Sequence, residues 1–182
     1  EQDYVNAAKA YSNLVANAWC KVEGRRITLA VLMQDYESGP HSFRQIKDSL
    51  AGCLLTMAPA SVRKKDLIIK EPVFVNVSVE LWIRVEEWKR ALEERGRILE
   101  GLYRLFRPVR RNGRTEPGTG YMPRESQILM AVRSFSPDAR IEHSNITVSY
   151  ADEKGRHRTE LGQLKQTPFM VCVNGTHEVH VC

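Results

Sequence analysis

The chain ends in "THEVHVC", and its His177, His180 and Cys182 are the best candidates for a metal cluster. Imidazole and thiolate are common zinc ligands, so this grouping raises the question of a metal-dependent enzyme. A strand alternates its side chains, however, which puts His177 and His180 on opposite faces and leaves only His180 and Cys182 on one. We therefore expect terminal surface histidines, with no metal and no cofactor. Nucleophilic catalysis would need a Ser or Cys with a partnered His and an acid, and no GxSxG elbow occurs. The glycines of "GPHSF" and "GTGYMP" lack the strand, spacing and lysine of a phosphate cradle. The acid pairs Glu86 with Glu87 and Glu93 with Glu94 read as the polar face of a helix. The expectation is a protein without catalysis.

The second concentration of chemistry is basic. Between Arg104 and Arg114, "RLFRPVRRNGR" holds five arginines and no acid. Guanidinium forks bind phosphates and carboxylates bidentately, so Arg104, Arg107, Arg110, Arg111 and Arg114, with Tyr121, are the candidate partner-binding residues. The plainer reading is a solvated helix end whose arginines complement the helix dipole. Nucleic-acid binding would also want aromatic platforms among the basic residues, and only Tyr103, Phe106 and Tyr121 are near. A protein partner therefore ranks above nucleic acid. The whole-chain balance, 27 Lys+Arg against 22 Asp+Glu, is only +5 and mostly local to this segment.

These groups must be positioned by a fold of modest size. At 182 residues and 42% hydrophobic, the chain can bury one ordinary core or two small ones. No apolar run approaches the roughly 20 residues that cross a bilayer, and "EQDYVNAAKAYS" has neither the basic flank nor the apolar centre of a signal peptide. A soluble chain is expected, and the lack of an initiating Met suggests a piece of a longer polypeptide. The cysteines Cys20, Cys53, Cys172 and Cys182 have no CxxC spacing and suit reduced, packed thiols.

Along the chain, Tyr4, Ala7, Ala8 and Tyr11 fall at helical spacing behind Glu1 and Asp3. "VANAWCKVEG" and "RRITLAVLMQ" read as two strands around Gly24, the second buried on both faces. A helix with Ser42 as N-cap follows, its stripe made by Phe43, Ile46, Leu50, Cys53, Leu54 and Met57. "KEPVFVNVSVELWIRV" reads as one long strand from Lys70 to Val85, with a bulge or edge at Pro72. "EEWKRALEERGRILEGLYRLF" predicts the longest helix, with Trp82 and Trp88 packed where strand and helix meet. After a Gly- and Pro-rich loop come a helix through Ile128, Leu129, Val132 and Phe135, a strand, a turn at Glu153 to Gly155, a poorly patterned connection, and two strands around an Asn174-Gly175 turn. The expected class is α+β: two small two-layer α/β sandwiches, ferredoxin-like in character, joined by the long shared strand. The expected domains are 1–72 and 73–182.

Three segments, in this order, resemble the C-terminal part of the baseplate J-like family, the wedge proteins of contractile phage tails and related injection systems. They are "EQDYVNAA", "LIIKEPVFVNVSVELWIRV" and "GTGYMPRESQILMAV", the last followed by "ARIEHSNITVSY" and "TPFMVCVNGTHEVHV". The resemblance covers nearly the whole chain. It implies a structural, non-catalytic wedge subunit that binds copies of itself and other baseplate or tail proteins. It further implies no small-molecule substrate and no membrane, with assembly in the bacterial cytoplasm and a final place in the baseplate of a virion or tail-like particle. A basic nucleic-acid-binding module using Arg104 to Arg114, and a small metal-dependent enzyme, are the alternatives.

Overall fold

The computed structural model of the protein describes residues 1–109 and 122–182. They divide into two compact units built on Glu1–Pro72 and on Val73–Pro108 with residues 122–182. The class is α+β, with one three-stranded and one four-stranded sheet and, among the described residues, four α-helices. No helix among them is long and apolar enough to cross a membrane.

The first unit runs α1 (Gln2–Tyr11), β1 (Val15–Glu23), β2 (Arg26–Met33), α2 (His41–Met57) and β3 (Leu67–Lys70). β1 and β2 form an antiparallel hairpin turning at Gly24, whose φ of 61° is the left-handed conformation that costs glycine no Cβ clash. β3 joins the far side of β2 in parallel, a pairing that requires a crossover, and α2 supplies it. The core gathers Ala8 of α1, Leu29, Val31 and Met33 of β2, Phe43, Leu50 and Leu54 of α2, and Ile69 of β3. Ala30 and Leu32 are also fully buried, so β2 is out of water on both faces, as its unbroken apolar run implies. Two details of α2 differ from expectation. It begins at His41, and Ser42 does not cap it but donates its hydroxyl to Asp35. Met57, at the end of the stripe, is exposed.

The second unit runs β4 (Val73–Val85), α3 (Ala91–Leu105), α4 (Glu125–Phe135), β5 (Ala139–Asp152), β6 (Gly155–Glu160) and β7 (Met170–Val181). Its sheet has the order β6-β5-β4-β7, with β7 parallel to β4 and the other pairs antiparallel. Val75, Val77, Val79, Leu81 and Ile83 are completely buried on one face of β4. They pack with Ile98, Leu102 and Phe106 of α3 and Ile128 and Val132 of α4. Each such side chain contributes about 1.5–3 kcal/mol of hydrophobic stabilisation, which explains why the alternation of valines dominates this stretch. β4 is paired along both edges, so it is the middle of a sheet and not an open seam. α3 and α4 touch where Gly101 meets Phe135: a Cβ on Gly101 would stand 2.3 Å from the ring's Cδ2.

Several expectations are corrected here. No strand is shared between the sheets: β3 stops at Lys70, β4 starts at Val73, and each pairs only within its own sheet. The break coincides with Pro72, which lacks an amide donor and so cannot carry a ladder through. α2, with 17 residues, is longer than α3, with 15, because Trp88–Arg90 forms a separate 3-10 turn before α3. Trp88 is 71% exposed, and Trp82 lies between His143 and His180 on the face of β4 away from the helices. The tail is not a hairpin. β7 is one strand with a bulge at Asn174 to Thr176, and Gly175 does not have the positive φ that an Asn-Gly hairpin turn requires. Within the poorly patterned connection lies β6, whose sequence "GRHRTE" has no apolar residue to announce it.

Candidate functional site

Of the residues singled out for partner binding, Arg104 and Arg107 are described, and both are exposed. Arg110, Arg111, Arg114 and Tyr121 lie outside the described residues. Arg104 occupies the last turn of α3, where a cation is favoured by the helix dipole, and its guanidinium stands 5.9 Å from the centroid of the Phe135 ring. The Arg107 amide bonds back to the Arg104 carbonyl at 3.4 Å.

The tail histidines separate, as strand geometry requires. β7 pairs with β4 at Val77↔Asn174 and then at Val79↔His177, so one extra residue is accommodated between them. That insertion exchanges the faces of the strand. Met170 and Cys172 point into the core before it, and Val179 does so after it, with His177 buried as well. Glu178 and His180 are thereby turned outward. Cys182 lies past the strand end, exposed, with its amide bonded to the Ile83 carbonyl at 2.9 Å. The structure does not bring His177, His180 and Cys182 together.

His177 is a structural plug. The Val79 amide donates to its Nδ1 at 3.3 Å, and since a backbone N–H can only donate, the ring proton sits on Nε2, which donates to Asn174 Oδ1 at 3.0 Å. Asn174 Nδ2 in turn donates to the Tyr103 carbonyl at 2.9 Å, tying the bulge to α3. Tyr103 meets the imidazole edge-on and Phe106 stacks on it. Burial pushes the His177 pKa from 6.5 down to about 4. Above pH 6.5 both folded and unfolded chains hold this imidazole neutral, and its contribution to stability is complete. Between pH 6.5 and 4 the unfolded chain takes up a proton that the folded one refuses, so stability falls by about 3 kcal/mol in all. Urea unfolding of the parent and His177→Gln at pH 7 and pH 4 checks this, the variant being expected to lose about 3 kcal/mol less on acidification. An equal pH dependence would refute it. Burial also pushes the Cys172 thiol up to about 12, which keeps it protonated and unsuited to nucleophilic work at neutral pH.

The reading of Glu93 and Glu94 as a polar face is half wrong. Glu94 is fully buried, because it falls on the same stripe of α3 as Ala91, Ile98 and Leu102. Its Oε1 lies 3.1 Å from Arg97 Nη1 and 3.6 Å from Arg90 Nη2, and its Oε2 accepts from Ser136 Oγ at 2.6 Å. Arg90 and Glu94 of this cluster line a groove of about 970 Å³, together with Glu86, Glu87, Arg133, Asp138 and Arg140. Close by in sequence, Trp88 and Leu92 stand in solvent four residues apart, 71% and 78% exposed, and Met130 of α4 is 68% exposed. Sequence reasoning missed Glu94 and the exposure of Trp88. The helical spacing of 91, 94 and 98 was the signal available for the first; for the second there was none.

On the face of β4 away from the helices, Glu80, Glu178 and His180 converge with Trp82, His143 and Asn145. No model of a known family matches the chain, and no curated protein matches it.

Proposed function

We propose that the chain is a structural assembly protein, a wedge-type subunit of a phage-tail-like baseplate, which works by binding copies of itself and neighbouring tail proteins and performs no catalysis. The observation that carries this reading is the exposure of Trp88 and Leu92, which alternate in sequence with Glu87, Arg90 and Glu94 of a groove of mixed charge. Large apolar side chains left in water next to polar rims are the pattern of protein contact sites, and Trp is the residue type most often dominant in them. The order of the three resembling segments supports the particular kind of assembly. The ferredoxin-like character of the two sandwiches belongs to the same reading, supported by the two small sheets and their helices. In this reading the subunit is assembled in the bacterial cytoplasm and ends in the particle's baseplate. Nucleic acid and small molecules are not its ligands.

The test uses the chain with the products of the adjoining tail genes. Trp88→Ser with Leu92→Ser is expected to leave the melting temperature within about 2 °C, since surface changes cost little. It is also expected to abolish complexes that the parent forms with itself or with those products in sedimentation velocity. A parent that forms none in their company, or that binds DNA with an affinity falling steeply with salt, would overturn the proposal.

A further inference from the structure

We propose that Glu80, Glu178 and His180 form a surface site for a divalent transition-metal ion of the zinc class. The parallel pairing of β4 with β7 sets Glu80 directly opposite Glu178 and Trp82 directly opposite His180. Two carboxylates in direct cross-strand register repel one another and destabilise a sheet unless a cation lies between them. The bulge at Gly175 is what creates this register, since without the inserted residue Glu178 and His180 would turn inward.

The donor spacing fits a shared ion better than it fits hydrogen bonds. His180 Nε2 lies 3.3 Å from Glu80 Oε1 and 3.7 Å from Glu178 Oε2, and the three donor atoms all lie within 4.8 Å of one another. Charge-assisted hydrogen bonds close to about 2.7–2.9 Å. Ligands held about 2.0–2.2 Å from a tetrahedral zinc stand about 3.3–3.6 Å apart; the Glu80 oxygen is already at that separation from His180 Nε2, and the Glu178 oxygen at 3.7 Å needs only a small movement to reach it.

The surroundings orient the donors. Trp82 stacks on His180 with centroids 5.0 Å apart and planes at 26°, and His143 covers its other face at 5.0 Å. The stack fixes the imidazole plane with Nε2 towards both carboxylates. Asn145 Nδ2 donates to Glu80 Oε2 at 3.4 Å, which leaves Oε1 for the ion, the arrangement by which outer groups usually orient metal-binding carboxylates. One imidazole and two carboxylates suit zinc more than the softer copper(I) or the harder calcium. Three protein donors on an open face leave a fourth position for water.

Calorimetric titration of the full chain with Zn²⁺, alongside His180→Ala and Glu178→Gln chains shown folded by circular dichroism, tests the site. One saturable site in the parent, weakened at least tenfold in each variant, is the expected result. No saturable site in the parent, or a site that either variant retains at parental affinity, would overturn the proposal. The assembly reading stands or falls separately, because neither variant touches Trp88 or Leu92.

Discussion

Gly175→Ala is expected to lower unfolding stability by about 3 kcal/mol or more, although it adds a single methyl group. The methyl carbon would stand 2.4 Å from Ser78 Oγ and 2.9 Å from both the carbonyl carbon and the oxygen of Val77. The serine hydroxyl can rotate, but only by giving up the bond it accepts from the Thr176 amide at 3.1 Å. The Val77 backbone cannot move without disturbing the β4 ladder on both sides, where Val77 faces Val148 and Asn174. Urea unfolding with Gly96→Ala as comparison checks the claim. Nothing lies within 4 Å of a Cβ on Gly96, so that change should stabilise the helix by up to about 1 kcal/mol. Adding Ser78→Ala to Gly175→Ala should not restore stability, because the backbone contact remains. A Gly175→Ala chain as stable as the parent would show that β7 relaxes there freely.

The same glycine shows where the sequence could be read and where it could not. β2 and β4 were legible because burial on both faces gives a nearly continuous apolar run and burial on one face gives alternation, and "ITLAVLM" and "VFVNVSVELWI" display these patterns with few exceptions, Thr28 in the first and Phe74 and Trp82 in the second. Asn174-Gly175 carries the strongest short hairpin signal, yet its glycine is there for a close approach of two backbones, a requirement set by a strand nearly a hundred residues earlier. β6 was illegible for the opposite reason: an edge strand of alternating charge needs no apolar residue, and charge protects its open edge from unwanted pairing. Trp88 misled because hydrophobicity alone does not say whether a residue faces a core or a partner. The convergence of Glu80, Glu178 and His180 depends on strand register, which no local pattern encodes. Most of the basic segment, from Arg110 onward, lies outside the described residues, so only Arg104 and Arg107 could be placed.

These observations separate the two faces of the four-stranded sheet by role. The helix face is spent on packing, with His177 and Cys172 neutral inside it. The opposite face carries the Glu80, Glu178 and His180 cluster, and Trp88 and Leu92 stand exposed just before and at the start of α3.

Replacing both Arg90 and Arg97 with alanine is expected to cost about 3–5 kcal/mol, far more than two partly exposed arginines would suggest. Their side chains are 43% and 46% exposed, and an ion pair on an open surface is worth at most about 1 kcal/mol. The carboxylate they share is the difference, because the Glu94 side chain is only 1% exposed. Without its cations it keeps a single hydrogen bond from Ser136, itself buried, and is left as an unpaired carboxylate in a poorly solvating interior. Adding Glu94→Leu to the double variant removes the stranded charge and should recover most of the loss, since apolar replacement of a buried ion cluster is often neutral or better. Denaturant unfolding of the parent, the double and the triple variants at pH 7 decides the matter. A double variant within about 1 kcal/mol of the parent would mean that water reaches Glu94 from the groove, and that the two arginines are surface charges after all.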